Sequence, residues 1–404
     1  MKHTRNDSVS ILTKAKMPKP YGTSISLAAR HFHGVGAQDK ATIVADAMLA
    51  EPGVEVVGVL DASGRALGLL RKEHILSLLG KPFGREILAR IPVAEIAERA
   101  TSYSADSGLF AVAEGMLEGG SDTRAPYAII EDDFGRFLGL VATRDLTDYL
   151  SRMTREDIAL AGALQDRLMA GNRSVTCPGL AHQAWSRPAK GIGGDFWFVK
   201  DLGCQRSFLC LCDVSGKGVA ASLVMSMVWG MLSAFDYRRG LEELILALNE
   251  TVITTFHLEK YLTGFFAIHD AASGSLEIAD MGHSHVLLHR GNRVYRPKGK
   301  RPNLPIGIER DFKPALDRWK LLPGDTLMVF SDGLIEQENG RGEEFGIVRL
   351  ARAFSNLMRT GEPLAASLPA VLDDFKGRTA QQDDISFVAF GPNVYAAALR
   401  KNDT

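Results

Sequence analysis

Five short motifs follow one another through the second half of this 404-residue chain: Gly193-Gly194-Asp195-Phe196, Asp213-Val214-Ser215-Gly216-Lys217-Gly218, Met281-Gly282-His283, Ser331-Asp332-Gly333 and Asp383-Asp384-Ile385-Ser386. Four of them set an Asp at the end of an apolar run or in a tight turn. Asp213 follows Phe208-Leu209-Cys210-Leu211-Cys212, and Asp332 follows Leu327-Met328-Val329-Phe330 and one Ser. Asp195 opens a strand-like run, and Asp383 precedes the last one. Taken singly, each would be an ordinary turn or helix cap. Together they constrain the fold, because side chains this far apart in sequence meet only if several strand ends reach one place. Carboxylates with a backbone carbonyl, without Cys or convergent His, form an oxygen-only donor set, which suits Mg²⁺ or Mn²⁺ and not Zn²⁺. Two such ions, roughly 3.5–4 Å apart, can activate a water and clamp a phosphoryl group.

The surrounding texture agrees. From Cys177 onward, short apolar strands alternate with Gly and charged turns. Candidate strands are 183–188, 196–201, 207–212, 263–269, 275–280, 285–290, 325–330 and 385–390, with helices at 218–235, 240–256, 346–358 and 362–375. Strands with helix blocks between them predict an α+β layered domain. The stretch from Gly218 to Phe235 has no charged residue. Its Ser and Gly content and its start inside a Gly-rich turn argue for a helix buried in a core over a membrane span.

Composition excludes some partners. Lys and Arg number 47 against 48 Asp and Glu, a net charge of -1, so no bulk field favours nucleic acid or an anionic membrane. The cysteines, Cys177, Cys204, Cys210 and Cys212, contain no C-x-x-C and read as reduced core residues of a cytoplasmic protein. The polar start, Met1 to Asp7, leads into no apolar segment of a secretory signal.

The first half carries an internal repeat. Val57–Leu70 matches Ala128–Val141 at an offset of 71 residues without a gap. Each copy reads as strand, Asp-x-x-Gly turn, strand, then helix (Lys72 to Leu79; Arg144 to Leu150), with further helical segments at Val93 to Arg99 and Leu109 to Leu117. Residues 151–171 read as a helix capped by Thr154, with Met153, Leu160, Leu164 and Leu168 in one stripe. That stripe either packs between domains or joins two subunits as a short parallel coiled coil.

The tandem β-β-α repeat resembles a pair of CBS-like modules, a family that binds adenine nucleotides or similar ligands. In that family's motif Gly139 and Asp145 match in the second copy, with Ala142 at the Thr/Ser position. In the first copy Gly68 matches, while Arg71 and His74 replace the Thr and Asp. Asp145 is therefore the candidate for reading a nucleotide ribose, and a ligand-free docking or dimerisation role stands beside ligand sensing.

Residues 180 to 392 resemble the metal-dependent PPM-type (protein phosphatase 2C) serine/threonine phosphatases, in particular the bacterial SpoIIE/RsbU-like branch. The resemblance implies an αββα sandwich with two Mn²⁺ or Mg²⁺ ions at one end. By motif, Asp195 is implied as a ligand of one metal, Asp213 as the bridging carboxylate with the Val214 carbonyl beside it, and Asp332 and Asp383 as the remaining ligands. Asp383 is preferred to Asp384 because Ser386 fixes the register of the final motif. Ser215 stands where eukaryotic relatives keep a His as proton donor, and Arg187 is the candidate for their phosphate-binding Arg. Gly282-His283 and Leu304-Pro305-Ile306-Gly307 match strand and turn elements, with His283 structural. Gly193-Gly194-Asp195-Phe196 superficially resembles the diguanylate cyclase signature, but that reading leaves Asp332 and Asp383 without a role.

The expected organisation is an unassigned segment 1–45, a regulatory CBS-like pair 46–150, a linker helix 151–176, a phosphatase domain 177–392 and a tail 393–404. The expected function is hydrolysis of phosphoserine or phosphothreonine on a regulatory protein of the anti-anti-sigma type. The linker helix passes a signal to the helix at 218–235. The alternative is an inactive pseudophosphatase that only binds a partner. An adenine nucleotide or other small ligand at the repeat, and a homodimer through the N-terminal domain and linker helix, complete the expected partners; nucleic acid and membrane are not among them.

Overall fold

The structure is a computed structural model, and it describes residues 11–17, 24–117, 127–173, 175–299 and 303–392. The expected tail 393–404 and the polar start lie outside the described residues. The chain divides into two compact units, Met1–Glu156 and Asp157–Thr404.

The first unit contains β1 (Thr13–Lys14), β2 (His33–Gly36), α1 (Ala41–Ala50), β3 (Val56–Leu60), β4 (Ala66–Arg71), α2 (Lys72–Leu79), α3 (Gly84–Leu88), β5 (Ser102–Ser104), α4 (Leu109–Leu117), β6 (Tyr127–Glu131), β7 (Phe137–Ala142) and the start of α5 (Thr143–Arg173). The sheets run β1-β2-β3-β4 and β5-β6-β7. In each copy the first strand of the repeat pairs parallel with the second, across an intervening helix, and the second pairs antiparallel with the third. The repeat is thus β-α-β-β-α and begins at β2, inside the segment left unassigned from sequence. The Asp-x-x-Gly turns are built alike. Asp61 Oδ1 accepts from the amides of Ser63 and Arg65, and Asp132 Oδ1 from those of Phe134 and Arg136. Gly64 and Gly135 hold φ of +83° and +74°, which only Gly adopts without strain. Over 93–99 the structure has a short 3-10 turn, Val93–Ile96, in place of the expected helix.

Two expectations for the connecting helix are corrected. α5 runs without a break from Thr143 to Arg173, so Thr154 lies mid-helix and caps nothing. The division between the units falls inside it. Its buried face in the second unit is Gly162, Gln165 and Met169, with Ile158 half-buried, while Leu160 and Leu164 of the expected stripe are 63% and 52% exposed.

The second unit continues with β8 (Ala181–Arg187), β9 (Phe196–Gly203), β10 (Arg206–Val214), α6 (Val219–Ala234), α7 (Leu241–Phe256), β11 (Leu262–Asp270), β12 (Ser275–Met281), β13 (Val286–Arg290), β14 (Arg293–Tyr295), β15 (Asp317–Lys320), β16 (Thr326–Phe330), α8 (Gly333–Glu336), α9 (Gly346–Thr360), α10 (Leu364–Lys376) and β17 (Ile385–Gly391). Two five-stranded antiparallel sheets, β15-β12-β11-β10-β9 and β14-β13-β16-β17-β8, form the sandwich. β16 and β17 are apolar on both faces because both faces are covered. Val329, Val388 and Phe390 pack in the core shared with the first sheet, α6 and α7. Met328, Phe330, Phe387 and Ala389 pack against α9 and α10. The layering is helix, sheet, sheet, helix, as expected.

α6 is not buried all round. Ala221, Val224, Met225, Val228 and Leu232 face the core, but Val219 and Leu223 are 56% and 63% exposed. It is a surface helix whose outer face carries no charge. Among the described residues no helix is long and apolar enough to cross a membrane. Cys177, Cys210 and Cys212 are buried, whereas Cys204 is exposed in the β9–β10 turn.

Candidate metal centre

The acidic motifs meet at one end of the sandwich. Asp213 is the next-to-last residue of β10, paired with Thr263 of β11. Its carboxyl feels Asp332, Asp383 and Asp384, and burial first and then these acids push it up to about 7. Asp195 immediately precedes β9 and is almost fully buried. Burial and then Asp213 hold its carboxyl well above the ordinary range, with the hydroxyls of Ser331 and Ser386 pulling the other way. Asp195 Oδ2 is buried without a hydrogen-bond partner. Asp332 lies between β16 and the short helix α8, and Asp383 stands two residues before β17.

Glycine makes the approach close enough. A Cβ on Gly194 would stand 2.9 Å from the Val214 carbonyl oxygen and 3.2 Å from Ala221 of α6. A Cβ on Gly333 would overlap the Asp384 carbonyl. The loop carrying Asp195 can therefore lie directly on the end of β10.

Two groups fasten that loop. Asp384, buried, accepts from Ala189 N through Oδ1 (2.8 Å) and from Gly194 N through Oδ2 (2.7 Å). Both its oxygens are thus engaged by loop amides, which separates it from Asp383 and sets it to holding the loop. From the other side, Gln165 of α5 donates Nε2 to the Gly193 carbonyl (2.8 Å) and accepts from Gly193 N through Oε1 (3.1 Å). Behind it, Gly162 abuts Gly191: a Cβ there would stand 2.5 Å from the Gly191 carbonyl oxygen. The expected partner of helix 151–171 was the helix at 218–235. What the structure places against it is the 189–195 loop, whose far side touches α6 at Ala221.

The remaining motif residues have other partners. Ser215 donates its amide to the Tyr261 carbonyl (2.9 Å) and its Oγ accepts from Tyr261 N (3.1 Å), so its hydroxyl is tied to the residue before β11. His283 is buried and donates Nε2 to the Phe330 carbonyl (2.9 Å), and burial lowers its pKa to about 3. Gly282, at φ +75°, packs on Pro305. Arg187 does not reach the acids: its guanidinium holds Asp373 (2.9 and 3.1 Å) and Gln381 (2.6 Å). The cation that does reach them is Lys217, whose Nζ lies 2.8 Å from Asp383 Oδ2. In the first unit, Asp145 Oδ2 pairs with His31 Nε2 at 3.1 Å.

These residues fit a divalent cation. The donors are carboxylate oxygens and a carbonyl, one buried oxygen has no partner, and the crowding of acids raises Asp213, a strain that a cation relieves. Among the described residues no group of three or more acidic, His or Cys side chains stands close enough together to hold a metal ion as placed.

Comparison with known proteins places the same region. The family described as Stage II sporulation protein E (SpoIIE) matches residues 204–392. Phosphoserine phosphatase RsbU of Bacillus subtilis is 29% identical over 192 residues, 46% of this chain and 56% of the relative. Stage II sporulation protein E of Bacillus subtilis is 27% identical over 153 residues, 37% of this chain and 18% of the relative. The chain thus spans about half of the first of these curated relatives and less of the second. Among solved structures, the SiaA-PP2C domain of Pseudomonas aeruginosa matches with a TM-score of 0.53 and 21% identity, covering 60% of this chain and 98% of that domain.

Proposed function

We propose, from the premise that residues 204–392 form a SpoIIE-type phosphatase domain of PP2C-like fold, that this chain hydrolyses phosphoserine or phosphothreonine on a regulatory protein. The observation that carries the proposal is the convergence of Asp195, Asp213, Asp332 and Asp383 on one sandwich end, with an unpartnered carboxylate oxygen among them. Asp195, Asp213, Asp332 and Asp383, with the Val214 carbonyl, would hold two Mn²⁺ or Mg²⁺ ions. Bound there, such ions supply Lewis acidity at phosphorus and lower the pKa of a water. The chain supplies the rest. Buried acids fix the donors, the glycines let two loops approach, and the sandwich end excludes bulk water from Asp195. His283 gives its Nε2 proton to the Phe330 carbonyl, so it is not assigned as proton donor to the leaving oxygen.

By analogy with the phosphoserine phosphatase RsbU, the substrate is a phosphorylated protein of a partner-switching pair, of the anti-anti-sigma type. The N-terminal unit is proposed as a CBS-like regulatory module, which its doubled β-α-β-β-α order supports. Asp145, the candidate for reading a ribose, is paired with His31, and Arg71, at the Thr/Ser position of the first copy, is paired with Glu98. Those pairings favour docking or dimerisation over nucleotide binding. The exposed Leu160 and Leu164 favour a homodimer through α5. A signal along α5 reaches Asp195 through Gln165 and Gly193, which is the proposed route of regulation.

The test is turnover of p-nitrophenyl phosphate and of a phosphoserine peptide by the full chain. Activity should require Mn²⁺ or Mg²⁺ and vanish with chelator; no turnover with either ion sinks the enzyme reading and leaves the pseudophosphatase. For the route, Gln165→Ala loses two buried hydrogen bonds, each worth about 1 kcal/mol, and should lower the rate about tenfold. An unchanged rate and unchanged metal affinity in that variant remove Gln165 from the route.

A further inference from the structure

The cation at this centre is held in a way that conflicts with metal binding. Asp383 accepts the Asp384 amide through Oδ1 (2.8 Å) and the Lys217 ammonium through Oδ2 (2.8 Å). Lys217 also donates to the Gln382 carbonyl (3.0 Å). A divalent ion on Asp383 needs one of those carboxylate oxygens, and its charge repels an ammonium seated on the same group. Among the described residues this is the one ion pair recorded to Asp195, Asp213, Asp332 or Asp383. The side chain is 37% exposed, so it can leave Oδ2 toward solvent. Gly216 and Gly218, at φ +86° and +78°, flank it, so the turn that carries Lys217 is the one that places Asp213 and Val214. Arg187, the other candidate for a phosphate-binding cation, is held by Asp373 and Gln381.

We propose that Lys217 is an exchangeable cation: it neutralises Asp383 while no divalent ion is bound, and turns to the phosphoryl oxygens of the substrate once one is. The second half rests on the phosphatase reading; the first half does not. No bond is made or broken in the exchange. The ammonium trades one anionic oxygen for another, which keeps it charge-paired in both states.

Calorimetric titration of the full chain with Mn²⁺ tests the first half. Removing a competing cation at a partly exposed pair should tighten binding in Lys217→Met by about two- to fivefold, and Lys217→Arg should stay near wild type. Equal or weaker binding in Lys217→Met overturns the exchange. The second half is read by titrating inorganic phosphate into the Mg²⁺-saturated protein. Phosphate affinity should fall about tenfold in Lys217→Met, with a matching rise in KM for p-nitrophenyl phosphate, and recover in Lys217→Arg. Unchanged phosphate affinity in Lys217→Met overturns it. Lys217→Gln serves if the Met variant fails to fold, judged by its melting curve. If the wild-type chain turns over no phosphoester, the phosphatase reading fails and takes the second half with it, while the Mn²⁺ titration still decides the first half.

Discussion

The two halves of the chain treat acidic residues in opposite ways. In the N-terminal repeat the acids of the turns and of the motif have partners. Asp61 and Asp132 cap their own turns, Glu98 holds Arg71 and Asp145 holds His31. The hydrogen bonds within those turns lower Asp61 and Asp132. At the sandwich end both are raised instead, Asp195 by burial and then Asp213, and Asp213 by burial and then Asp332, Asp383 and Asp384. One arrangement is complete in itself; the other is complete only with something positive added. Uncompensated burial therefore marks the site where a count of acids does not.

That contrast can be broken by experiment. The largest effect is expected for Asp213→Asn, which should reduce metal-dependent turnover by roughly three orders of magnitude. The same change should raise the melting temperature of the metal-free protein, because it removes a buried carboxylate that lacks a counter-ion. A lowered melting temperature would show that Asp213 is compensated after all. Next comes the acid limb of stability. The folded pKa of His283, about 3, lies below its unfolded value of 6.5. Its contribution is complete above pH 6.5 and is lost as pH falls from 6.5 toward 3, a loss of up to a few kcal/mol. Chemical denaturation from pH 7 to 4 should show this slope, and His283→Asn should flatten it.

Third, Gly333→Ala drives a methyl into the Asp384 carbonyl and should destabilise by about 1–3 kcal/mol. Gly64→Ala meets nothing within 4 Å, so only its positive φ opposes it, at about 1 kcal/mol. Equal losses in urea titrations would erase the distinction between the crowded centre and the open turn. The smallest effect belongs to the Arg71–Glu98 pair, about a third exposed on each side. Arg71→Met should change stability by less than about 1 kcal/mol.

Much of this was legible in the residues, and the misses share a cause. The strands of the sandwich core announced themselves by continuous apolar runs. β14 and β15 did not, because Arg293-Val294-Tyr295 and Asp317-Arg318-Trp319-Lys320 are edge strands, and charge on an edge discourages further pairing. The aspartates were found by their motifs. Gln165 and the task of Asp384 were not, since their bonds join residues 28 and about 190 positions apart. A signal for Gln165 was present all the same: Ile158, Gly162, Gln165 and Met169 follow helical spacing and form the face that packs. The leucine stripe beside it is more apolar and masked that face, although its Leu160 and Leu164 are exposed.

The position of β17 has a consequence for how the chain is made. This strand pairs with β16 on one side and β8 on the other, an interior position in the second sheet. Asp383 and Asp384 immediately precede it. During synthesis, β8 and the Asp195 loop leave the ribosome about 190 residues before the strand and the carboxylate that fasten them. The centre is thus finished last, and a nascent chain cannot gather its four aspartates until residue 391 or so has emerged.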